Sequence, residues 1–108
     1  MTILNVINPV TSMWPRFTAA TVTSANSSAT SATLLAANTN RLGVIIHNTD
    51  ANALYVKYGA TATTALAGYT VKIPADGYWE MPYPIYAGVL DGIWAADGSG
   101  GAAITEMA

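Results

Sequence analysis

The chain has 108 residues, 52% of them hydrophobic and only 9% charged, with a formal net charge of −2 at pH 7. Its four cations, Arg16, Arg41, Lys57 and Lys72, are scattered and form no basic patch, so nucleic acid is not an expected partner. Cysteine is absent, which excludes disulfides and thiol chemistry, and no uninterrupted apolar run reaches the ~20 residues that cross a membrane as a helix.

The opening MTILNVINPVTSMWPRF is apolar, but Asn5, Asn8, Pro9, Ser12 and Pro15 interrupt it and no basic residue precedes it. It therefore suits neither a secretory signal nor a span, and Pro9 and Pro15 hold Asn8 and Trp14 in extended or turn geometry. Residues 1–16 read as an extended arm and 17–108 as one folded domain. Fully stretched, the arm reaches on the order of 50 Å, enough to lie across a neighbouring subunit. Ile3, Leu4, Val6, Ile7, Val10, Met13 and Trp14 are then its docking or intersubunit side chains. The other reading packs the arm on its own domain as an extra strand or cover.

Beyond the arm, short period-two segments alternate with turn signals and helical periodicity is missing, the pattern of an all-β sandwich or jelly roll of about seven or eight strands. Between Phe17 and Asn40 no residue is charged, and Thr, Ser and Asn alternate with Ala and Val. That composition suits strands with one wet face, and a surface so poor in charge points to assembly. Strands are expected at Phe17–Thr23 and Thr30–Ala36, with Ser24–Ser28 as a loop. Arg41–His47 and Ala53–Tyr58, joined by Asn48-Thr49-Asp50-Ala51-Asn52, read as a hairpin. Leu42, Val44 and Ile46 share one face of its first strand, and Leu54, Val56 and Tyr58 face inward from its second.

The stretch after Gly59 reads as a long loop or poor edge strand. Tyr69–Ile73 follows, then a turn at Pro74-Ala75-Asp76-Gly77 whose glycine tolerates positive φ. Tyr78–Met81 ends at Pro82 and Pro84. Ile85–Val89, Ile93–Ala95 and Ala102–Met107 complete the set, with Asp91-Gly92 and Asp97-Gly98 as turns.

Chemistry has few candidates. His47 is the only histidine, no glycine-flanked nucleophile exists, and Ser99 sits in a flexible Gly98-Ser99-Gly100 turn, so no enzyme is expected. Asp91 and Asp97 are too few to supply the six or more oxygens of a calcium site, so neither metal nor cofactor is expected. The tyrosines and tryptophans concentrate in the second half, where a solvent-facing subset would suit stacking on a glycan. Gly88 and Gly92 with Trp94 have two readings: a trimer axis with the indole at its centre, or a core tryptophan beside strand glycines.

Two segments, RLGVIIHNTDANALYVKYGATATT and GYTVKIPADGYWEMPYPIYAGVLDGIWAADGSGGAAITEMA, together resemble a group of small tailed-bacteriophage head-decoration proteins. Matching positions include Arg41, Gly43, Asn48, Tyr55, Gly59, Gly77, Glu80, Pro82, Tyr86, Gly88, Gly92, Trp94 and Glu106. The resemblance covers about the last two-thirds of the chain. It implies a capsid decoration protein of the cement or head-fibre kind, a β-sandwich that commonly sits as a homotrimer on the major capsid protein, on the outer surface of the virion. It carries no catalytic residues. On the trimer-axis reading, Tyr86, Gly88 and Trp94 are the positions at the oligomer interface, and a carbohydrate-binding or host-adhesion module is the alternative function.

Overall fold

The computed structural model describes residues 16–108; the apolar side chains of residues 1–15 lie outside them. Eight strands follow in order: β1 (Ala20–Asn26), β2 (Ala32–Leu35), β3 (Gly43–Asn48), β4 (Leu54–Tyr58), β5 (Val71–Ile73), β6 (Tyr78–Glu80), β7 (Leu90–Trp94) and β8 (Gly101–Met107). They form two four-stranded antiparallel sheets, ordered β1-β8-β3-β6 and β2-β7-β4-β5. First pairs with last, second with seventh, third with sixth and fourth with fifth, which is one long antiparallel ribbon rolled so that its strands alternate between two sheets. This is the jelly-roll wrap.

Alternation of side chains places the core between the sheets. Val44, Ile46, Ala102 and Ile104 point inward from one sheet, and Leu34, Leu54, Val56, Ile73, Leu90 and Trp94 from the other. Met81, just past β6, joins them. A stripe of β-branched and leucine side chains at every second residue is what fills the space between stacked sheets.

Several local expectations are corrected. β3 and β4 do not pair with each other: β3 lies between β8 and β6, and β4 lies between β5 and β7, so Asn48–Asn52 crosses from one sheet to the other. β1 continues through Ser24–Asn26, because its ladder with β8 runs on to Asn26↔Gly101. Asp91 and Gly92 are interior to β7; an added Cβ at Gly92 would come within 2.6 Å of Leu34 Cδ1, since the leucine occupies the space a side chain would need. Ile85–Val89 forms no strand. In the Pro74–Gly77 turn the residue at positive φ is Asp76, not the glycine. Aspartate is among the few non-glycine residues that accept that region.

Candidate functional site

The resemblance positions converge on contacts inside the protomer. Arg41, at the entrance to β3, has a side chain 0% exposed and reaches four acceptors. Its Nε donates to Glu106 Oε2 at 2.7 Å, one terminal nitrogen to the carbonyls of Tyr86 (2.7 Å) and Gly88 (2.9 Å), and the other to Ala36 O (2.8 Å). A planar guanidinium can satisfy such a fan of acceptors; an ammonium cannot. The clamp ties the end of β2, β8 and the 82–89 segment together, with two carbonyls of that segment facing the arginine.

A second polar knot sits at the other end of β3. Asn48 is fully buried, donates through Nδ2 to the carbonyls of Asn52, Ile73 and Pro74, and accepts from the Trp94 indole N–H at 3.0 Å and from the Asp50 amide. Trp94 is 1% exposed. Its ring belongs to the core, one of the two placements its sequence surroundings allowed. Tyr86 is half-buried and stacks on Tyr58 with ring centroids 4.6 Å apart, and the Gly88 carbonyl holds Arg41, so both have work within the protomer.

Asp50 closes the adjoining turn. Burial alone would raise its carboxyl, but the Asn52 amide and side chain (3.0 and 2.9 Å) and the Gly100 amide (2.9 Å) outweigh that and hold it below the ordinary value of 3.8. A depressed carboxyl contributes stability above the unfolded-state value and loses it as pH falls through the folded one. Asp50→Asn should therefore be less stable than the parent at pH 7, with the gap narrowing as the pH falls below 3.8 and through the lower folded-state value. Urea midpoints across that range are the check, and a gap constant with pH would contradict the assignment.

The remaining candidates are dispersed. His47 points outward 3.5 Å from Asp76, both solvent-exposed. Asp91 accepts from the Thr33 hydroxyl and Asp97 from the Ala29 amide, and no cluster of three metal-binding side chains occurs among the described residues. Burial raises the Tyr58 phenol, whose ring lies between Trp79 and Tyr86. Tyr55 meets Tyr69 edge-on, with the Lys72 ammonium 5.6 Å from its centroid. Only Tyr78 and Tyr83, 71% and 85% exposed, stand free.

What remains is the flank built by the charge-free stretch. Every β1 residue except Ala25 is exposed, Val22 is 67% exposed, and Phe17 just before the strand is exposed too. Beside them Ser24, Asn26, Thr49, Ser99, Gly101 and Ala103 line a shallow hollow that has no charged or aromatic side chain to orient a small ligand. Sequence reasoning identified this region as uncharged but not that it forms a sheet edge, one with which no other strand among the described residues pairs. Comparison with protein-family models, curated proteins and solved structures gave no match.

Proposed function

We propose that this protein is a structural virion component: a decoration protein on the outer surface of a bacteriophage capsid, bound as a homotrimer to the major capsid protein through its apolar arm and through contacts between copies. The resemblance of residues 41–108 supplies the class. The observation that carries the reading is the uncharged, exposed flank around β1, a surface made for contact with protein, since charge is what normally keeps small domains apart. Several arms engaging repeated lattice sites together convert weak single contacts into durable attachment, because later contacts are intramolecular. Tryptophan is the residue most enriched at such hot spots, which makes Trp14 the arm's anchor.

Mass spectrometry of purified particles should find this chain in fixed stoichiometry with the shell protein. Trp14→Ala should reduce that occupancy while shifting the melting point of the isolated protein by less than about 2 °C. Absence of the chain from particles, or unchanged occupancy of the folded variant, overturns the proposal.

The exposed Tyr78 and Tyr83 support the second reading, a carbohydrate-binding or host-adhesion module, because free tyrosine faces suit stacking on sugar rings. Glycan-array binding lost in Tyr83→Ala would favour it.

A further inference from the structure

The four edges of the two sheets are guarded unequally. β5 and β6 have three residues each; β5 carries Lys72, and β6 carries Glu80 and runs into Pro82 and Pro84. β2 has four residues and a register shift between Thr33 and Leu35. Short length, charge, proline and bulges are the devices that stop strands from pairing with other chains. β1 has none of them: it is seven residues, Ala-Thr-Val-Thr-Ser-Ala-Asn, in unbroken register with β8.

The reciprocal bonds between Ala19 and Ala108, at 3.0 and 2.9 Å, set the phase of that ladder. Hydrogen-bonded pairs alternate in an antiparallel ribbon, so Thr21, Thr23 and Ala25 turn their N–H and C=O to β8, while Ala20, Val22, Ser24 and Asn26 turn theirs to the open side.

We propose that β1 is an acceptor strand, and that its occupant is the segment Thr2–Asn8 of a neighbouring copy, added edge to edge. This rests on the reading that copies assemble side by side. Thr2–Asn8 is seven residues, uncharged, free of proline and bounded by Pro9, which matches β1 in length and character. It brings four large apolar side chains, Ile3, Leu4, Val6 and Ile7, whereas the β1 of a second copy would bring only Val22. The chain also enters the domain at this edge, since Thr18 and Ala19 bond to Ala108. Returning to the same β1 would require residues 9–17 to reverse direction with Asn8 and Trp14 both biased to extended backbone by the prolines that follow. Continuing straight on, those residues span up to about 30 Å, the scale of a neighbouring small domain.

The test uses the full chain. Amide exchange at Val22 and Ser24 should be slowed about tenfold or more, and that protection should vanish in Leu4→Pro/Val6→Pro while Thr21 and Thr23 stay protected. Because the chain has no cysteine, single Cys variants at Leu4, Asn5 or Val6 can be mixed with Ser24→Cys, and a mixed disulfide should form between copies. Three outcomes overturn the proposal. Val22 and Ser24 could exchange equally fast in parent and proline variant; a double-Cys chain could close only on itself, placing its own segment on β1; or protection could survive the prolines while Val22→Cys links to its own kind, placing a second β1 there. These readouts use purified protein and the virion role is read on particles, so the two failures are distinguishable.

Discussion

Arg41→Ala is expected to destabilise the domain by about 3–5 kcal/mol, the range seen when one member of a buried ion pair is removed. The change leaves Glu106 and the carbonyls of Ala36, Tyr86 and Gly88 without their donor at once. For a domain of this size that corresponds to a melting point lower by roughly 15 °C or more. Arg41→Lys should recover only a minor part, because three ammonium protons cannot follow the guanidinium fork. The informative comparison is Arg41→Met with Arg41→Met/Glu106→Leu. If the stranded carboxylate dominates the loss, the double variant is the more stable of the two; if the carbonyls dominate, they melt together. A loss under about 1 kcal/mol in Arg41→Ala would show that water replaces the clamp freely.

The second large effect belongs to Asn48. Replacement by leucine removes the partner of the Trp94 indole N–H, the Asp50 amide and three backbone carbonyls in a region where Asn48 itself has no exposure. Each orphaned group costs about 1–3 kcal/mol where water cannot reach it, and partial relaxation brings the expected total to about 3 kcal/mol. Urea denaturation measures it. Adding Trp94→Phe to Asn48→Leu tests the mechanism, since removing the stranded N–H should make the combined loss smaller than the sum of the singles. Strict additivity would mean that the Asn48–Trp94 bond contributes nothing of its own.

The apolar alternation of Val44 and Ile46, Leu54 and Val56, and Ala102 and Ile104 was enough to read the all-β class and the inward faces, because side-chain period follows directly from strand geometry. Strand partners were not legible on the same terms. Asn48–Asn52 has the residues of a turn, but the same chemistry serves a tight hairpin and a crossing between sheets. The pairing of β3 and β4 in different sheets distinguishes them, and the Asn48 side chain, buried among carbonyls of residues 52, 73 and 74, holds the crossing. Asp91-Gly92 misled for a related reason: the glycine is required by leucines from β2 and β4, not by a turn. Arg41 stood out as a cation and as a position of the resemblance, but its clamp did not. Its acceptors come from residues up to 65 positions away, and no local pattern announces them. The charge-free stretch was plain in composition, whereas the open hydrogen-bonding side of β1 follows from ladder phase, which no residue type encodes.

Rolling the ribbon from its two ends has a consequence for biosynthesis. β1 is the first of these eight strands to be made and its partner β8 the last of them, so β1 waits for its ladder until Gly101–Met107 has left the ribosome. A nascent chain must therefore carry a naked, neutral strand while the six strands between β1 and β8 are made, a period in which exposed strand edges invite aggregation. Loss of the final seven strand residues would leave the whole sandwich unsealed rather than merely shortened.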